Sequence, residues 1–413
     1  MATPGAWAGI TGQANVSQTR TKNGELVKIE PFSIAIAEPV FSDLKKRIHD
    51  TRWPPASTAE PWSQGSDQSY LQRFLKRWKD DFDSSFFMRG LSQYNHFMAQ
   101  TEGLEIHFLH IQAKEKGRIP LLLTHGWPSN FVEYLPVISL LVNPKKHGLR
   151  GDGFDLVIPS LPGYAFSTRH PKHTTRDTAR IWNNLMNALG YSRFAVHGTD
   201  FGAGVSTFLA LDFPESVIGL HLSNVENSPS ISSRSAVLSK EEEDFLRRSE
   251  QWFEEEGAYK IIQRTKPSSL SFGLSDSPAG MAGWVLEKWR SWSDCDGDLD
   301  SIFDPDFLLS LLTIFWVTNS IGTAAMDYFD NKNSGYTLKE DEFVSTPTAI
   351  AAFGNAFVKE HFPPKEWVSR MYNVTRWTQM PKGGHFAAAE QPLLFCQDLL
   401  DFFAGFNNGS VAG

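Results

Sequence analysis

Short apolar runs, separated by glycine-bearing turns and amphipathic stretches, begin at residues 104–111 and recur at 119–123, 155–158, 194–196 and 217–222. Runs of this length rich in Val, Ile, Leu and Phe suit strands buried on both faces. Their alternation with helical stretches predicts a mostly parallel sheet covered on both sides. From about 228 to 336 the strand pattern disappears and helical spacing takes over, clearest at 241–253 and 282–292, before strand signals resume at 346–353 and 374–379. The economical reading is an α/β core interrupted by a set of helices that roofs the C-terminal ends of the strands, where such sheets bind ligands.

Upstream of the core the pattern is different. Residues 1 to about 25 are polar and without periodicity, as in a mobile tail. An ordered segment begins at Pro31-Phe32-Ser33-Ile34 and continues through Leu44-Lys45-Lys46-Arg47-Ile48 to Pro54-Pro55, where the proline pair stops a helix. At 70–78, Leu71, Leu75 and Trp78 fall at i, i+4 and i+7 and should lay one helix face on the core. The expected organisation is a tail (1–25), a wrapping N-terminal segment (26–103), a first part of the core (104–227), a helical cap (228–336) and a second part of the core (337–413). Residues 307–326 are uncharged over nearly the length of a membrane span. Ser310, Thr313, Thr318, Asn319, Ser320 and Thr323 make them too polar for one, so a single buried helix is expected.

Composition narrows the function. With 413 residues, 41% hydrophobic and 21% charged, the chain can bury a large core, and a net charge of -8 gives no reason to expect nucleic acid or acidic lipid as partner. Thirteen Trp and 31 Phe suit either an apolar binding site or thick aromatic packing between helices. Cys295 and Cys396 are the only cysteines, which excludes a disulfide framework and suggests a reducing compartment. The N-terminus has neither the basic-then-apolar pattern of a secretory signal nor an anchor. These features predict a soluble cytoplasmic protein without metal or cofactor. Peripheral membrane association and a homodimer are left open, and the sequons at Asn15, Asn373 and Asn408 are discounted.

The candidate chemistry starts at Gly198-Thr199-Asp200-Phe201-Gly202, directly after the apolar run 194–196. The small-x-nucleophile-x-small spacing is that of a nucleophile elbow, a strand that turns at once into a helix and exposes the central side chain. Aspartate at the centre attacks saturated carbon by displacement and leaves an alkyl ester on the protein. Release from that ester needs a base to activate water. His385, in Gly383-Gly384-His385-Phe386 near the C-terminus, has the right place in chain order after the nucleophile. Two carboxylates are candidates to orient it: Glu360 after the strand at 346–353, and Glu226, the runner-up, after the strand at 217–222. The oxyanion needs two N–H donors, one from Phe201 and one from Trp127 in Thr124-His125-Gly126-Trp127-Pro128.

His125-Gly126-Trp127-Pro128, Pro159-Ser160-Leu161-Pro162-Gly163-Tyr164, the elbow and Gly383-Gly384-His385-Phe386, in this order, resemble the microsomal-type epoxide hydrolases of the α/β-hydrolase superfamily. The resemblance extends to the wrap, through Arg52-Trp53-Pro54 and Gly103-Leu104-Glu105-Ile106-His107-Phe108. It implies an α/β-hydrolase core with a helical cap and an N-terminal wrap, and a cofactor-independent enzyme that opens a small apolar epoxide with water to a vicinal diol, in detoxification or in secondary metabolism. It further implies that Tyr259 and Tyr328 donate to the ring oxygen. The chain departs from the family pattern at Asp83-Ser84-Ser85, at Phe201 after the nucleophile, and in a Glu360 region one residue short. A haloalkane dehalogenase, which also uses Asp, and a non-catalytic binding protein with a hydrolase fold are the alternatives.

Overall fold

The computed structural model describes residues 17–20, 24–113, 118–229, 237–333, 337–359 and 362–406. Twelve strands are present among these: β1 (Ser17–Arg20), β2 (Leu26–Phe32), β3 (His96–Thr101), β4 (Leu104–Ile111), β5 (Pro120–Thr124), β6 (Asp155–Pro159), β7 (Phe194–Gly198), β8 (Val217–Leu222), β9 (Ser228–Pro229), β10 (Thr337–Leu338), β11 (Val344–Ala352) and β12 (Tyr372–Gln379). Ten of them form one sheet in the order β1-β2-β3-β4-β6-β5-β7-β8-β11-β12. From β6 to β12 all neighbours run parallel, whereas β1 to β4 form an antiparallel meander that joins the sheet through β4 and β6. β5, β7 and β8 are buried along their whole length, as their uninterrupted apolar runs require.

Helices of the wrap are α1 (Glu38–His49), α2 (Gln68–Asp80) and α3 (Ser84–Ser92). The face expected at Leu71, Leu75 and Trp78 is buried. The Trp78 indole N–H donates to the Thr313 hydroxyl at 3.0 Å, so the wrap grips the inserted helices as well as the sheet. Two local expectations are corrected here. A strand, β1, lies within the stretch read as a tail, because residues 17–20 find an antiparallel partner in β2. Helix α1 stops at His49, short of the proline pair, since Pro54 already biases the preceding backbone towards extended conformations. α3 and β3 carried too little periodicity to be anticipated.

The core supplies α4 (Leu135–Val142), α5 (Thr175–Ala188) and α6 (Phe201–Asp212). Seven helices then stand between β8 and β11: α7 (Lys240–Glu256), α8 (Ala258–Thr265), α9 (Pro267–Asp276), α10 (Pro278–Trp292), α11 (Pro305–Thr318), α12 (Ile321–Ala324) and α13 (Met326–Asp330). The short parallel pair β9 and β10 closes the neck of this insertion. α14 (Lys365–Ser369), α15 (Ala387–Glu390) and α16 (Pro392–Phe403) complete the core. Residues 307–326 do not form the single helix expected. Asn319 adopts a left-handed conformation (φ 52°) that ends α11, and the chain turns by 94° into α12 and α13. Among the described residues no single helix is long and apolar enough to cross a membrane.

The bend brings α13 onto the loop after β6. Arg169 in that loop bonds Asp327 at 2.5 Å and Asp330 at 2.8 Å, with all three side chains nearly buried, and it also donates to the carbonyls of Pro162 and His173. Removing one partner of a buried ion pair leaves uncompensated charge. Arg169→Met is therefore expected to lower unfolding stability by about 3–5 kcal/mol in urea titration, far more than Arg77→Met at the exposed pair with Asp306.

Candidate active site

The elbow is set by sterics. Asp200 sits between β7 and α6 with φ 49° and ψ -127°, a strained conformation for a residue with a side chain. It is tolerable because Gly202 lets the first turn of α6 pass against β5, where a Cβ would collide with the Thr124 carbonyl. The turn aims the Asp200 carboxylate at the loop after β5. There the Trp127 N–H donates to Oδ1 at 2.8 Å and the Phe201 N–H donates to the same oxygen at 2.7 Å. Gly126 allows this approach, since a Cβ there would overlap the Asp200 carboxylate. One carboxylate oxygen is thus held by two backbone donors, and Oδ2 faces His385, whose Nε2 is 3.5 Å away.

His385 is carried on a loop locked from both sides. Its backbone N–H donates to the Trp292 carbonyl at 2.8 Å, and its ring packs on Trp292 with centroids 5.0 Å apart. Glu390, buried at the end of α15, accepts from the backbone N–H groups of Gly384, Phe386 and cap residue Asp294 at 2.7–2.8 Å. Burial nonetheless pushes its carboxyl up to about 7. Trp289 of α10 stacks on Phe386 at 3.7 Å and donates from its indole to the Pro128 carbonyl, so one cap residue touches both the histidine loop and the Trp127 loop.

The two cap tyrosines complete the enclosure. Tyr259 of α8 lies parallel to the Trp127 ring at 5.3 Å, while Tyr328 of α13 stands edge-on to Trp127 at 5.6 Å and to Phe201 at 4.8 Å. Each tyrosine therefore packs on a residue whose backbone holds Asp200. Both border one cavity with Asp200, Phe201, Glu226, Trp252, Lys260, Trp292 and His385. Among the described residues no group of three or more His, Cys, Asp or Glu side chains is placed to hold a metal ion.

These features enclose a buried carboxylate, a histidine and two tyrosines around one cavity, and comparison with known proteins decides the family. Residues 29–134 match the family model "Epoxide hydrolase N terminus", and residues 119–280 match "alpha/beta hydrolase fold". A putative epoxide hydrolase of Stigmatella aurantiaca is 35% identical over 91% of this chain and 84% of its own length. The chain belongs to the epoxide hydrolase family. Epoxide hydrolase 1 of Oryctolagus cuniculus is 34% identical over 91% of the chain and 88% of its own length. The crystal structure of juvenile hormone epoxide hydrolase from Bombyx mori superposes with a TM-score of 0.79 at 31% identity, covering 93% of this chain and 96% of that one. The epoxide hydrolase of Aspergillus niger follows at 0.77 and 26% identity, covering 91% and 96%.

Of the residues singled out in the sequence of this hydrolase, Asp200, Phe201, Trp127, Tyr259, Tyr328 and His385 converge. Glu226 borders the same cavity, and Glu360 lies outside the described residues. Two buried residues went unnoticed in the sequence. Asn224, two positions before Glu226, places its carboxamide 3.3 Å from His385 Nδ1, and its Oδ1 accepts from the hydroxyl of Thr199, next to the nucleophile. Exchanging the amide oxygen and nitrogen needs no heavy-atom movement. It lets Asn224 Oδ1 accept from Nδ1–H while the amide N–H donates to the Thr199 hydroxyl, and the Nε2 nitrogen is left as the acceptor. Asn224 belongs to no charged or metal-binding pattern, so only the loop's proximity to Glu226 hinted at it.

The other is Glu133, in the turn before α4. It is fully buried where His385, Asp200 and Glu390 all act on it, and burial pushes its carboxyl up to about 7. A carboxyl whose pKa is raised on folding destabilises the fold increasingly as pH rises from its unfolded value, near 4.5, through 7. Glu133→Gln should therefore be near neutral at pH 4.5 and raise stability at pH 8, by at most about 3 kcal/mol. Thermal melts at both pH values check the sign. Asn224→Leu should slow steady-state turnover on the order of tenfold to a hundredfold, less than the roughly 10²–10⁴-fold that a general base itself contributes. Rapid quench should show that the slowed step follows ester formation.

Proposed function

We propose that this epoxide hydrolase works through an Asp200 ester. The observation that carries the reading is the seating of both cap tyrosines on Trp127 and Phe201, the two residues whose N–H groups hold one oxygen of Asp200. An alkoxide is a poor leaving group in an apolar site, and the hydroxyls of Tyr259 and Tyr328 donate to the ring oxygen as it acquires charge. Oδ2 attacks a ring carbon, the C–O bond opens, and the alkoxide takes a proton from a tyrosine. His385 then removes a proton from water whose oxygen attacks the ester carbonyl carbon. Glu360, or Glu226 as runner-up, is the carboxylate that orients the histidine, and Asn224 supports the Nδ1 side of the ring. The oxyanion forms on Oδ1, already bound by the Trp127 and Phe201 N–H groups. Collapse breaks the bond between the Asp200 carbonyl carbon and Oδ2, so Oδ2 leaves with the product; His385 returns its proton to that oxygen as the diol departs, and the new carboxyl group's proton restores the tyrosine.

Two hydroxyl donors above a carboxylate suit a ring oxygen that must be protonated, which halide displacement does not require. Two buried free thiols, Cys295 and Cys396, support a reducing, cytoplasmic setting. His385→Gln incubated with styrene oxide should gain the mass of one substrate on the peptide containing Asp200, with turnover down about 10²–10⁴-fold. An unmodified peptide together with normal turnover would remove His385 from the second step. Tyr328→Phe should slow ester formation and leave ester hydrolysis at the wild-type rate in stopped-flow fluorescence.

A further inference from the structure

The catalytic cavity is not the only space that reaches His385. A second chamber of about 250 Å³ lies beyond it, between α7 and the segment after β11. Its walls include Phe245, Trp252, Phe253, Phe353 and Phe362, so the chamber is built to take an apolar group. Glu226, Trp252, Lys260 and His385 border both spaces, so the two adjoin at that point.

Among the described residues that line the two spaces, Lys260 is the only lysine or arginine. It follows Tyr259 directly on α8, so the residue that reaches the ring oxygen and the ammonium beside it are fixed to one rigid element. The side chain is half-buried, and among the described residues no carboxylate oxygen lies within 4 Å of its ammonium. By contrast the neighbouring cap lysine, Lys288, pairs with Glu287 and lies over the Tyr259 ring. An ammonium facing aromatic walls loses hydration that a ligand oxygen of suitable charge would replace, and such charge-assisted contacts are among the stronger polar ones.

We infer that the site takes epoxides bearing a carboxylate within a few bonds of the ring, with Lys260 binding the carboxylate and an apolar arm of the same molecule entering the aromatic chamber past His385. The inference rests on the epoxide-opening reading and adds the substrate's charge. Glu226 at the same junction disfavours a carboxylate that misses Lys260, and so sharpens the choice of orientation.

The experiment is a matched pair, 3-phenylglycidate and its methyl ester, with styrene oxide measured alongside. For each, kcat/KM is compared between wild type, Lys260→Met and Lys260→Glu. Because each substrate is its own reference, intrinsic reactivity cancels. Lys260→Met should cut kcat/KM for the acid at least about tenfold more than for the ester, a ratio expected for one lost charged hydrogen bond, and Lys260→Glu should cut it further. Equal losses on acid and ester, or no loss on either, overturn the inference. So does a wild-type enzyme that opens styrene oxide but not the glycidate, and that result leaves the epoxide-opening reading intact.

Discussion

Everything in the site depends on the capture of Asp200 Oδ1 by two backbone N–H groups from the ends of different strands. Those donors sit on the parallel part of the sheet, at the turn after β5 and at the start of α6, and they are fixed by elements that bury most of their side chains. Two consequences follow from that one contact. It holds the carboxylate in a single orientation with Oδ2 towards the histidine, and in the proposed mechanism it sets the oxyanion donors in place before any charge develops, which is when such donors are most effective. The strained backbone at Asp200 persists because the close approach of α6 to β5, possible only with Gly202, over-determines it.

The cap extends this arrangement and adds no second centre. Tyr259 and Tyr328 come from helices far apart in the chain, yet both lean on the rings of the residues that supply the N–H donors, so the position of the two phenols is referred to the Asp200 carboxylate. Arg169 holds α13 through its two aspartates, and Trp289 joins α10 to both catalytic loops. The wrap closes the outer side through α2 and its bond to α11. Separate pieces of sequence thus converge on a space whose walls are largely aromatic, which gives the 31 Phe and 13 Trp a role in lining as well as in packing.

Legibility followed the physics of each feature. The buried strands were readable because a two-sided apolar environment leaves a continuous signature, as at residues 217–222. The elbow was readable because its turn demands small residues at fixed offsets. The break at Asn319 was not, since one left-handed residue in a long uncharged run leaves no mark on hydrophobic periodicity, and β1 was hidden because an edge strand needs little apolar content. Within the site, Asp200 and His385 stand in short motifs with a mechanical reason, whereas Asn224 and Glu133 act through position in space. A neutral amide and a carboxyl kept partly protonated by burial look ordinary in one dimension.

The central claim is that an oxygen of Asp200 enters the product before water does. A single turnover with enzyme in excess over epoxide, run in heavy-oxygen water, tests it directly by mass spectrometry of both product and protein. The account predicts an unlabelled diol and a label in the peptide that carries Asp200. Label in the diol from that first turnover, with none in the peptide, would mean that water attacks the epoxide directly and would contradict it.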